Sequence, residues 1–102
     1  MEIIKIEIIL SNTFLQQLIE LLEETGVHGY TAIEIFRGKG IKRGEHLSEG
    51  LLPTSRNTLL FTIASSKNAN RIVEAIQPFL DERGGVLMTY QLDYASGLSG
   101  RS

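Results

Sequence analysis

The run RGKGIKRG, residues 37 to 44, sets Arg37, Lys39, Lys42 and Arg43 among Gly38, Gly40 and Gly44. Glycine lets a backbone take positive φ and come close to a ligand, so main-chain N–H groups and cations at one turn can converge on phosphate. No Gly-Lys-Ser/Thr follows, which excludes a Walker A loop, and the glycine spacing excludes a dinucleotide fingerprint. The same composition also suits a solvated hairpin tip kept soluble by charge, and the run alone leaves both readings open. Gly84 and Gly85 form a second glycine pair, which by itself reads first as a helix stop. The other chemistry-bearing residues are dispersed. His28 and His46 stand apart from each other and from any carboxylate cluster, so no metal site is expected. Ser48, Thr54 and Ser55 have no base at readable spacing, which argues against a nucleophile.

The elements that must position these residues follow from periodicity. Ile4, Ile6, Ile8 and Leu10 alternate with Lys5 and Glu7, a period of two that predicts a strand over residues 2 to 10. Thr13 and Gln16 make a capping box, and Leu15, Leu18, Ile19 and Leu22 then recur at helical spacing until Gly26, predicting a helix from Asn12 to Thr25. Glu20, Glu23 and Glu24 form its solvated face. Strands are expected over Tyr30 to Arg37 and Thr58 to Ala64, the second with Leu59, Phe61 and Ile63 on one face. Ser65 or Ser66 caps a second helix whose inward positions are Ile72, Val73, Ile76, Phe79 and Leu80. Pro78 lies inside it and predicts a kink or break. Val86 to Asp93 forms the last strand, with Val86, Met88, Tyr90 and Leu92 alternating.

The order β-α-β-β-α-β predicts an α+β, ferredoxin-like fold: a four-stranded antiparallel sheet with two helices on one face. The other face is left uncovered. Ile3, Ile9, Ile33 and Ile35 add apolar area there or at the edges, so burial by other subunits is expected. Residues 38 to 57 are the anomaly, because a hairpin joins two strands with two to five residues and loops this long are usually functional. Half of the chain's 10 basic residues lie between residues 37 and 57, opposed there only by Glu45 and Glu49, in a chain of net charge −2. That concentration points to an anionic ligand or an acidic partner surface.

The chain's 102 residues make one core, here residues 1 to 93, followed by a polar tail at 94 to 102. With 42% hydrophobic and 22% charged residues it is an ordinary globular composition. The acidic balance disfavours nucleic acid. No cysteine is present, which suits a reducing compartment. The opening EIIKIEIIL is too short and too charged for a membrane span or signal peptide, so a cytoplasmic location is expected.

The segment GVHGYTAIEIFRGKGIKRG, residues 26 to 44, resembles the region of PII signalling proteins that runs through their second strand into the mobile T-loop. Gly29, Thr31, Glu34, Gly38, Gly40 and Gly44 carry the resemblance. It extends through the element order, the loop length and a glycine-containing B-loop at Arg83 to Gly85. It implies a homotrimeric, non-enzymatic signalling protein that binds adenine nucleotide (ADP, AMP or ATP) between subunits and regulates a partner through the T-loop. Gly29 and Thr31 would lie near the adenine, Arg37, Gly38, Lys39 and Gly40 beside the phosphates, Thr62 and Ala64 flanking the base, and Gly84 and Gly85 facing phosphate. Lys42, Arg43, His46 and Arg56 would belong to the partner-binding loop.

The chain also departs from the nitrogen-regulatory pattern. Val86 stands in place of a phosphate-binding lysine and Thr62 in place of a strand-three glutamate. Ile41 and Lys42 replace the usual arginine and glutamine. The loop has no tyrosine to be uridylylated, and Arg101 is the one cation of the tail. These features are more similar to PII-like proteins associated with carboxysomes and bicarbonate transport. Bicarbonate is then a second expected ligand, with a membrane transporter or a carboxysome-associated protein as partner, and no metal cofactor. The alternative is a trimeric metal-binding or scaffold protein of the CutA type. Two further classes sharing the topology are disfavoured: an acylphosphatase needs an arginine-lined loop where this chain has only SNT, and an RNA-recognition domain needs aromatics in its central strands.

Overall fold

A computed structural model describes residues 2–27, 29–36 and 56–97. Its elements are β1 (Ile3–Ser11), α1 (Leu15–Glu24), β2 (Thr31–Ile35), β3 (Asn57–Ser65), α2 (Ser66–Arg83) and β4 (Val86–Leu92). The sheet order is β2-β3-β1-β4, with every neighbouring pair antiparallel. This is the expected ferredoxin-like arrangement.

The period of two in β1 decides the layering. Ile6, Ile8 and Leu10 are fully buried beneath the helices, where they meet Leu18 and Leu22 of α1 and Ile72 and Ile76 of α2. Each such side chain contributes about 1.5–3 kcal/mol through removal from water. On β3 the buried set is Thr58, Leu60, Thr62 and Ala64, so Leu59, Phe61 and Ile63 lie on the opposite, open face. The registers Ile9↔Leu59 and Ile33↔Leu59 put Ile9 and Ile33 on that face too, and Ile33 is 49% exposed.

The helix start differs from the expected Thr13–Gln16 capping box. Asn12–Phe14 form a 3-10 turn in which the Ser11 hydroxyl accepts the Thr13 N–H at 3.2 Å, and Phe14, at the entry to α1, makes no side-chain cap. The reason is tertiary. The Asn12 N–H donates to the Arg56 carbonyl at 2.9 Å, which keeps the chain tied to the sheet one residue longer. The end of α1 is as expected: Gly26 takes φ +94° and donates to the Glu23 carbonyl.

Of the kink or break expected at Pro78, the break does not occur: α2 runs through it to Arg83. Pro78 and Glu74, whose carbonyl loses its N–H partner, are both exposed, so the orphaned oxygen is open to water, and Ile72, Ile76 and Leu80 anchor the helix on its buried side. Ser65 caps α2 by accepting the Asn68 N–H. Ala69 joins the buried face, while Val73 is only half-buried. Strand β2 is shorter than expected at both ends. Tyr30 precedes it and Phe36, 97% exposed, follows.

Candidate functional site

The two exits of the β2–β3 connection are fixed at one end of the sheet. The last pair of that ladder is Ile35↔Asn57. Arg56 Nε lies 3.1 Å from Glu34 Oε2, linking one exit to the other. The carbonyl of Arg56 holds the Asn12 N–H, and the Thr58 hydroxyl donates to Asn12 Oδ1, so the base is tied to the β1–α1 junction as well. Arg56, expected to serve a partner, is thus also a clamp at the loop base.

Gly29, Thr31, Thr62 and Ala64 gather toward the other end of the same edge. Thr62 and Ala64 point into the helix layer and are buried, whereas Gly29 and Thr31 are exposed. The Thr62 hydroxyl donates to the Gly29 carbonyl at 2.6 Å, so its contact with anything outside the chain runs through Gly29. A Cβ at Gly29 would meet nothing within 4 Å. Folding of one protomer therefore does not require glycine there.

Gly84 and Gly85 are the reverse case. Gly84 ends α2 at φ +87°, and its N–H is occupied by the Leu80 carbonyl at 2.7 Å. Gly85 has φ +143°, and a Cβ would come within 2.9 Å of the Ile9 carbonyl and of Leu80 Cδ2. The helix-stop reading accounts for both residues. Beside them, Arg83 stacks 4.2 Å above the Phe79 ring and bonds to the Phe79 carbonyl and to Glu82.

One protomer does not bring these groups together. Gly29 and Thr31 lie by edge strand β2, and Gly84 and Gly85 precede β4 at the other edge, three strand spacings or about 14 Å away. They are also displaced along the strands, since Ala64 pairs with Ile4 but Val86 pairs with Ile9. Arg37, Gly38, Lys39, Gly40, Lys42, Arg43 and His46, with His28 and Arg101, lie outside the described residues. Among the described residues no three His, Cys, Asp or Glu side chains converge as metal ligands. A cavity of about 580 Å³ opens between α2 and β4, lined by residues including Glu2, Ile4, Val73 and Glu74, and contains none of the expected site residues.

A polar cluster on the open face escaped the sequence reading. Lys5 Nζ lies 2.9 Å from Glu7 Oε2 and 4.5 Å from the Phe61 ring centre, and the Tyr90 hydroxyl donates to Glu7 Oε1 at 3.0 Å. The Lys5 hydrogen bond, opposed by burial and aided by Tyr90, holds the Glu7 carboxyl below its ordinary range. The same carboxylate pushes the Tyr90 phenol up. The signal available in sequence was Lys5 and Glu7 on one strand face; Tyr90 joins them only through the β1–β4 register Lys5↔Tyr90.

The architecture is a small ferredoxin-like domain, with a long excursion between β2 and β3 and its candidate ligand groups divided between opposite sheet edges. The family model for nitrogen regulatory protein P-II matches residues 3–96, and the chain belongs to that family. Proteins of the family are generally non-enzymatic signalling proteins and typically trimers. Among solved structures, CPII of Thiomonas intermedia K12, a nitrogen regulatory PII-like protein, is similar at 23% identity in its complex with ADP, AMP and acetate, covering 95% of this chain and 92% of that one with a TM-score of 0.76. Its complex with ADP and bicarbonate aligns at 26% identity over 90% and 87% of the chains, with a TM-score of 0.71. GlnK of B. subtilis shares the fold at 15% identity, covering 100% and 95%, with a TM-score of 0.66. No match to a curated protein sequence was found. No helix among the described residues is long and apolar enough to cross a membrane.

Proposed function

We propose that this protein is a non-enzymatic trimeric sensor that binds an adenine nucleotide, with bicarbonate as a second ligand, at each junction between two chains. The observation that carries the reading is the division of the candidate groups. Gly29 and Thr31 lie at the β2 edge and Gly84 and Gly85 before the β4 edge, so a head-to-tail ring of chains is the arrangement that joins them. Membership of the P-II family and the ADP, AMP and bicarbonate held by CPII support the choice of ligand. Gly29 and Thr31 meet the base, with Thr62 and Ala64 behind them. Arg37, Gly38, Lys39 and Gly40 attend the phosphates together with the backbone of Gly84 and Gly85. Lys42, Arg43, His46 and Arg56 then present a ligand-dependent surface to a cytoplasmic partner, a transporter or a carboxysome-associated protein. Signalling requires the ligand to bind one loop arrangement better than another, since a ligand shifts an equilibrium only by its differential affinity.

Calorimetry with ATP, ADP, AMP and cyclic AMP, each with and without bicarbonate, tests the reading. Binding of ADP or AMP at one site per chain is expected, with ATP competing less well because Val86 supplies no cation. A bound nucleotide at a hundredfold excess over Kd adds about 2.7 kcal/mol to stability. A melting curve unmoved by millimolar concentrations of all four would refute nucleotide binding.

A further inference from the structure

The open face of the sheet carries charged side chains only at its middle, and the charges there are arranged unlike surface charges. Lys5 and Glu7 sit on the central strand β1, and their side chains retain only 29% and 15% of their exposure in a single protomer. Both carboxylate oxygens of Glu7 are engaged, one by Lys5 and one by the Tyr90 hydroxyl, and the Lys5 ammonium rests against the Phe61 ring. On this face β2 and β3 present uncharged side chains, among them Ile33, Leu59, Phe61 and Ile63, and β4 adds Met88 and Tyr90. The charges are therefore balanced within the chain. A covering partner needs to bring no countercharge, which fits a second copy of the same face and not an acidic or basic ligand.

We infer that Lys5 and Glu7, held by Tyr90, act as one unit that permits the face to be covered by other copies of this chain. The inference rests on the self-association proposed above and names what controls it. When the face is covered, an intact pair enters the interface already neutral and hydrogen-bonded. If one member is lost, the other becomes an uncompensated charge or an unmatched polar group in an apolar contact. Loss of one member is far more damaging than loss of both, because paired apolar replacements leave no charge to desolvate, only the Tyr90 hydroxyl that had donated to Glu7.

Sedimentation velocity over a range of protein concentrations tests this, with far-UV circular dichroism confirming that each variant folds. Wild-type chains are expected to assemble. Glu7→Gln and Lys5→Met, singly, should raise the concentration at half-assembly by about a hundredfold or more. The double variant Lys5→Met/Glu7→Met should return to within about tenfold of wild type. If either single variant does not fold, Tyr90→Phe replaces it. That change frees one Glu7 oxygen while leaving the ion pair, and should weaken assembly by about tenfold. Assembly of Glu7→Gln as tight as wild type, or a double variant no better than the singles, would overturn the inference while leaving self-association intact. A wild-type chain that is monomeric at every concentration would overturn both.

Discussion

Two glycines of the candidate site answer to different forces. Gly85 is a folding residue: its φ of +143° and the 2.9 Å separation between a built Cβ and the Ile9 carbonyl leave no room for a side chain. Gly85→Ala should therefore destabilise the fold by about 1–3 kcal/mol, read as a lowered Tm without ligand. Gly29 meets nothing within 4 Å, so Gly29→Ala should leave stability unchanged or slightly raised, by up to about 1 kcal/mol, and yet weaken nucleotide binding by crowding the base. A Gly29→Ala chain that binds ADP as tightly as wild type would remove that glycine from the site. Glu7 offers a third measurement at this scale. Its carboxyl is lowered below the ordinary 4.5 by Lys5, so the folded state binds a proton less readily than the unfolded chain. The stabilisation is complete above the unfolded value and is lost as pH falls through the folded one. NMR titration should place the Glu7 midpoint below 4.5, and Lys5→Met should move it upward.

At the scale of the element, the sequence was most legible where one pattern sufficed. Ile6, Ile8 and Leu10 could be assigned to one face from period alone, and Gly26 and the Ser65 cap marked helix ends through purely local chemistry. The start of α1 was misplaced because the Asn12 N–H is claimed by Arg56, forty-four residues away in sequence, which no local motif reports. The Lys5–Glu7–Tyr90 cluster was missed for the same reason. Of the candidate site, the residue types of Gly29, Thr31 and Gly84 were readable, but their places at opposite edges and the orientation of Thr62 into the helix layer required the sheet order and register. Pro78 shows propensity overridden by packing. Its cost is borne by a helix anchored on Ile72, Ile76 and Leu80, so the penalty should still be measurable. Pro78→Ala restores a donor to the Glu74 carbonyl and should stabilise the fold by about 1–3 kcal/mol in urea titration. A midpoint unchanged by this substitution would mean that the surrounding helix has already relaxed the clash.

For the molecule as a whole, the proposed site has its halves at opposite edges of one sheet, and such a site requires a pair of chains. A heterologous contact that closes into a ring gives every chain one β2-edge half and one β4-edge half, each completed by a different neighbour. The consequence can be measured by mixing variants. Gly29→Phe places a bulky uncharged side chain at the β2-edge half, where a Cβ meets nothing within 4 Å, and leaves the B-loop intact. Gly84→Ala perturbs the B-loop, where φ is +87°, and leaves the β2 edge intact. Each variant alone should fold, as judged by circular dichroism, and should bind no ADP. After the two are denatured together in equal amounts and refolded, random assembly pairs an intact β2 half with an intact β4 half at about one junction in four. Calorimetry should then recover about a quarter of the wild-type stoichiometry with wild-type affinity at those sites. If each site were built within a single chain, every chain in the mixture would still carry one broken half and no binding would return. Recovery against silence thus separates a shared site from a private one, whatever nucleotide proves to be preferred.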